Sequence, residues 1–178
     1  MTLEFQTYPR RLSAGANNTV IALTETEVGK LFPDETRSDI GSEAEKMQFA
    51  NAVNGLVVKF LRLDVHEPEG LPMLVMERLY PFDIRAYERE KRELWMDVFE
   101  DELNVLHRAG FVHRDLKRPS AVIGGERYDN VLLTAQGLRL IDVGISALLE
   151  QVGEKLFTAF IKRELAELAE FKEYFLNR

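Results

Sequence analysis

Short alternating runs of apolar and polar residues fill the first part of the chain, and longer helix-spaced patterns follow. Leu12 to Leu23 (LSAGANNTVIAL) sets small, turn-forming residues between apolar ends, which predicts a β-hairpin. Thr24 to Glu27 reads as a turn and Val28 to Phe32 as a third strand. Residues 42–50 (SEAEKMQFA) read as a helix, with Ser42 as its N-cap and Glu45 closing a capping box. Glu43, Met47 and Ala50 then share one helix face by their i, i+4, i+7 spacing. Leu56 to Leu61 is a predicted strand, Pro68, Gly70 and Pro72 mark a turn, and Met73 to Glu77 is apolar enough for a central strand. Asp83 to Lys91 is heavily charged and predicts a solvated helix. Leu94, Trp95, Val98, Leu103 and Leu106 fall at helical spacing and are expected in the core, with Gly110 ending that helix. Leu156, Phe160, Leu168, Phe171 and Phe175 predict one or two further amphipathic helices. The fold class is therefore α+β.

Composition narrows the function more than the fold. The 178 residues suffice for one domain of ordinary size or two very small lobes, and 46% hydrophobic content fills a core. Absence of cysteine excludes disulfides and thiolate metal sites. His66, His107 and His113 are too few and too scattered for a zinc site. A net charge of -7 argues against binding a nucleic-acid backbone. No apolar run approaches the roughly 18 residues of a membrane span, so no membrane partner is expected. MTLEFQTYPRRL lacks the apolar core of a signal peptide, which makes the cytoplasm the expected compartment. A chain delivered into a host cell by a dedicated secretion machine would carry the same features.

The chemistry concentrates between Gly110 and Gly144, GFVHRDLKRPSAVIGGERYDNVLLTAQGLRLIDVG. This stretch holds His113-Arg114-Asp115, then Asn130, then Asp142-Val143-Gly144. Two carboxylates and a carboxamide, each beside an apolar run, are what a site for magnesium and phosphate requires. HRDLK, NVLLT and LIDVG in this order resemble the catalytic loop and the metal-binding segment of eukaryotic-type protein kinases. The resemblance covers about residues 10 to 146.

That resemblance implies a two-lobed kinase-like fold within a single minimal domain. Residues 1–79 would form a small antiparallel-sheet N-lobe with one helix, and residues 80–178 a reduced, mainly helical C-lobe. It implies ATP and Mg2+ as cofactors and a protein substrate phosphorylated on serine or threonine. Asp115 would accept or orient the substrate hydroxyl, and Lys117 would stand near the transferred phosphate. Asn130 and Asp142 would bind magnesium. Ser13, Gly15 and Asn18 fall at the three positions of the glycine-rich loop, and Asn18 substitutes for a glycine because asparagine tolerates left-handed geometry. Val20 would cover the adenine, and Met76 would be the gatekeeper before a hinge from Glu77 to Leu79. Lys30 would pair with the nucleotide phosphates and with Glu43, which the helix face favours over Glu45. The C-terminal helices would pack under the catalytic loop.

Several positions depart from the family pattern. The catalytic-loop asparagine would fall at position 120, which is Ser120; Asn130 begins the NVLLT run instead. An insertion of about ten residues around Ala121 to Asp129, with glycines at 124 and 125, accounts for the shift. Val143 stands where the family has phenylalanine. Nothing after Gly144 resembles a long activation segment, so activity without activation-loop control is expected, with Arg114 in a structural role. The degenerate glycine loop and displaced asparagine also fit a pseudokinase that binds nucleotide or protein. The missing peptide-binding helices fit a small-molecule phosphotransferase, against which Lys117 argues.

Overall fold

The computed structural model describes residues 7–14, 18–118 and 128–177. The chain is α+β and divides into two compact units, Met1–Glu45 with Lys59–Leu79, and Lys46–Val58 with Tyr80–Arg178. Among the described residues, no helix is long and apolar enough to cross a membrane.

The first unit is built on a five-stranded antiparallel sheet. Its strands are β1 (Arg10–Ala14), β2 (Thr19–Ala22), β3 (Glu27–Leu31), β4 (Phe60–His66) and β5 (Leu71–Glu77), in the order β1-β2-β3-β5-β4. Cross-strand pairs share a sheet face, so the register sorts the side chains. Ile21 opposes Gly29, which opposes Val75, while Leu31 opposes Met73. Ile21, Leu31, Met73 and Val75 accordingly form one buried cluster. The other face carries Val20 opposite Lys30, Lys30 opposite Leu74, and Val28 opposite Met76.

Helix α1 (Ile40–Val53) starts three residues earlier than the capping-box pattern predicts. Asp39, not Ser42, caps it: the Asp39 carboxylate accepts from the Ser42 N–H at 2.6 Å. Aspartate is as good an N-cap as serine, and Asp39 directly precedes the first helical residue. The predicted strand at 56–61 also moves. Leu56, Val57 and Val58 are almost wholly buried and belong to the second unit, where Val57 bridges Leu140. β4 begins only at Phe60.

In the second unit, Asp83 caps a single 3-10 turn over Ile84–Ala86, where the charge pattern predicted a longer helix. Tyr87 returns to an extended conformation, and α2 (Arg89–Ala109) begins there. Its buried face is Arg92, Met96, Phe99, Leu103, Leu106 and His107. Leu94 and Val98, expected in the core, are 66% and 54% exposed. Both Val98 and Phe99 can be read into a helical stripe with Leu106, and the structure chooses the one containing the aromatic ring, which buries more surface. Gly110 takes a left-handed φ of 104° and closes the helix, its N–H bonded to the carbonyls of Leu106 and His107.

Beyond Gly110 come β6 (Phe111–Val112), β7 (Val131–Thr134), β8 (Gly137–Leu140) and β9 (Ala147–Leu148), then α3 (Leu149–Val152) and α4 (Glu154–Leu176). β6 pairs with β9, and β7 forms a hairpin with β8. Helix α4 buries Phe157, not the predicted Leu156, together with Leu168, Phe171 and Phe175. Phe171 sits between Phe99 of α2 and Phe175, with ring centroids 5.8 and 5.5 Å away. Arg92 donates to the Phe175 carbonyl at 2.7 Å, placing a cation at the C-terminal end of α4.

Candidate active site

The first unit holds a buried ion pair. Lys30 on β3 donates to Glu43 Oε1 on α1 at 2.7 Å, and their side chains are only 8% and 3% exposed. A charge this deep is tolerated only when paired. Helix geometry selects Glu43, because Glu45 lies on the exposed face while Glu43, Met47 and Ala50 are buried. Val20 lies directly across from Lys30, on the same sheet face.

Other predicted nucleotide contacts are engaged differently. Asn18 has no left-handed φ; that conformation occurs, among described non-glycine residues, at Arg114 and Asp142. Its carboxamide joins strands, donating to the Leu31 carbonyl at 2.8 Å and accepting from Ser38 at 3.3 Å. Gly15 lies outside the described residues. Glu77 closes β5, where its N–H meets the Lys59 carbonyl and its carboxylate accepts from the Lys59 N–H, both at 2.9 Å. The Arg78 N–H is bonded to the Thr26 carbonyl, and Leu79 follows half-buried.

The second unit holds Asp115, Asn130 and Asp142 around the β7–β8 hairpin. Val131 pairs with Leu140, so Asn130 and Ile141 meet at the open end, where the Ile141 N–H donates to the Asn130 carbonyl at 3.0 Å. This register explains why residues twelve apart in sequence share one site. Asn130 is 3% exposed and turns its amide nitrogen to Asp115, 3.0 Å from the carbonyl and 2.8 Å from Oδ2.

His113 ties the two strand ends together. Its ring is fully buried; Nδ1 accepts from the Asp115 N–H at 3.3 Å, leaving Nε2 to donate to the Ile141 carbonyl at 2.9 Å. Ser146 Oγ donates to the His113 carbonyl at 3.0 Å. The left-handed Arg114 and Asp142, at φ 72° and 57°, flank these bonds. Two strained side-chain-bearing residues in one cluster are a signature of functional sites.

The carboxylates of Asp115 and Asp142 converge. Arg118 Nη2 lies 3.2 Å from Asp115 Oδ2 and 3.0 Å from Asp142 Oδ2. One cationic atom within hydrogen-bond reach of both oxygens marks a cation position. Burial alone would lower the Arg118 pKa, but Asp115 and Asp142 together hold it above its ordinary value. Among the described residues, no cluster of three His, Cys, Asp or Glu side chains could hold a metal. Magnesium needs no such cluster; it is commonly held through one or two carboxylates, waters and substrate phosphates. The oxygen donors of Asn130, Asp142 and nearby Asp115 fit that chemistry.

Helix α4 supplies supports that the sequence pattern did not reveal as functional. Glu164 is fully buried. It accepts from the backbone N–H groups of His113 and Arg114 and lies 2.8 Å from His107 Nε2. One turn on, Glu167 accepts from the Lys117 N–H at 3.4 Å, and Glu170 then pairs with the Lys117 ammonium. The only local signal is a glutamate every third residue, which reads as a solvated helix face. Arg114 stacks on Phe160 of α4, 3.7 Å from the ring centroid, and donates to the Ile145 carbonyl at 3.0 Å. Lys46 donates to the Gly144 carbonyl at 3.1 Å. No protein-family model matches the sequence, and no curated protein matches it.

Proposed function

We propose that this chain is a minimal ATP-dependent serine/threonine protein kinase, its sheet unit and its helical unit corresponding to the two lobes of that fold. The observation that carries the reading is the convergence of the Asp115 and Asp142 carboxylates on one guanidinium, with Asn130 bonded to Asp115 beside them. The buried Lys30–Glu43 pair supports it from the first unit. Each residue then has a role in phosphoryl transfer, where positioning and charge neutralisation dominate. Lys30, oriented by Glu43, meets phosphate oxygens of ATP. Asn130 and Asp142 would hold magnesium, which would neutralise phosphate charge. Asp115 orients the substrate hydroxyl and receives its proton on the carboxylate. Lys117, released from Glu170, meets the transferred phosphoryl group. A serine or threonine on a protein is the acceptor, since Lys117 accompanies that class.

Two features support a second reading, a nucleotide-binding pseudokinase. Asp115 and Asp142 are both bonded to Arg118, and Lys117 is paired with Glu170. Purified chain incubated with labelled ATP, magnesium and a cell lysate separates the two. The kinase reading expects phosphate incorporation that Asp142→Asn abolishes together with the magnesium-dependent thermal shift. Nucleotide binding without incorporation in any fraction would establish the binding module instead.

A further inference from the structure

Arg118 follows Asp115 by three residues and makes its contacts almost entirely with the candidate chemistry. Its Nε donates to Asp115 Oδ2 at 3.2 Å and its Nη2 to Asp142 Oδ2 at 3.0 Å. Among the described residues its guanidinium has no other hydrogen-bond partner. The side chain is 40% exposed, so it can leave without opening a cavity. Asp142 is held from the other side, its Oδ1 accepting from the Gly144 N–H at 3.3 Å.

We propose that Arg118 is a placeholder cation, occupying the position beside Asp142 that a divalent ion takes and leaving when the ion arrives. This rests on the reading of Asn130 and Asp142 as metal ligands. Magnesium–oxygen bonds are about 2.0–2.1 Å long. A metal bound to Asp142 Oδ2 would therefore lie against a guanidinium nitrogen now 3.0 Å from that oxygen. Two cations so close repel, and only the arginine has a flexible, half-exposed stem on which to move. Without either cation, the Asp115 and Asp142 carboxylates would lose the charge that bridges them. Arg118 thus keeps the site assembled before the metal enters, and its departure frees the Asp115 carboxylate at the moment the metal is bound. Arrival of the metal and release of the base become one event.

The test measures metal binding in the absence of nucleotide. Manganese(II), whose free form is counted by electron paramagnetic resonance, is titrated into wild type, Arg118→Gln, Arg118→Lys and Asp142→Asn. Loss of two partly exposed ion pairs to a competitor predicts roughly tenfold tighter manganese binding in Arg118→Gln. Arg118→Lys, which keeps a charge but loses the fork, falls between. Asp142→Asn removes the binding. Thermal unfolding checks that each variant is folded, and Arg118→Lys still decides the matter if Arg118→Gln is not. Equal or weaker binding in the arginine variants overturns the placeholder, and so does the absence of manganese binding in every protein. Turnover of ATP by wild type is scored separately, so the kinase reading can stand where the placeholder fails.

Discussion

Replacing Glu164 by glutamine tests how far helix α4 fixes the loop that carries Asp115. The carboxylate is fully buried and receives three donors: His107 Nε2 and the backbone N–H groups of His113 and Arg114. Glutamine keeps the shape but only one oxygen, so its NH2 group must point at one or more of these donors. Hydrogen bonds to charged groups contribute about 1.5–3 kcal/mol, and a buried donor left unsatisfied costs about 1–3 kcal/mol. The expected destabilisation is therefore about 3–5 kcal/mol, which for a chain of this size is a fall in Tm of about 6–20 °C. Hydrogen exchange adds a local readout. The His113 and Arg114 amides should lose protection relative to the amides of β3 and β5. A Tm within about 2 °C of wild type, with both amides still protected, would show that Glu164 is not the anchor of this loop.

Lys30→Met should reduce phosphate transfer by orders of magnitude and destabilise the fold, because it leaves the Glu43 carboxylate buried without its cation. Glu43→Gln should be more harmful to turnover than Glu45→Gln, since Glu45 is exposed; the reverse order would move the role to Glu45. Protein made in bacteria and treated with phosphatase should transfer phosphate at the same initial rate as untreated protein. Arg114, which on the kinase reading a phosphorylated activation segment would engage, is already stacked on Phe160 and bonded to Ile145. A large loss after phosphatase, restored by preincubation with ATP, would refute that reasoning.

Much of the first unit was legible because strands and helices impose short periods. The turn at Thr24 and the run from Val28 marked the third strand, and helical spacing put Glu43 with Met47 and Ala50. Boundaries were less legible where two residues could serve one purpose, as Asp39 and Ser42 could as caps. Helix α2 misled because apolar residues lie on two of its faces, and only the partners in α4 decide between Phe99 and Val98. The supports of the candidate site were least legible. A buried glutamate such as Glu164 is written with the same letter as an exposed one, and its partners lie some 50 residues away. Arg118 likewise reaches across 24 residues to Asp142, a pairing with no local period.

The distance along the chain between the loop and its glutamate anchors sets an order of assembly during synthesis. The β7–β8 hairpin is local, and hairpins close within microseconds, so Asn130 and Asp142 can meet as soon as both have left the ribosome. Arg114 must wait for Glu164, which is made 50 residues later, a delay of seconds at about 5–20 residues per second. Through that interval the nascent chain holds its candidate metal ligands together while the Asp115 loop lacks its carboxylate anchor. The open end of the hairpin can thus form before the Asp115 loop gains its anchor, so the order of synthesis becomes the order in which the second unit closes.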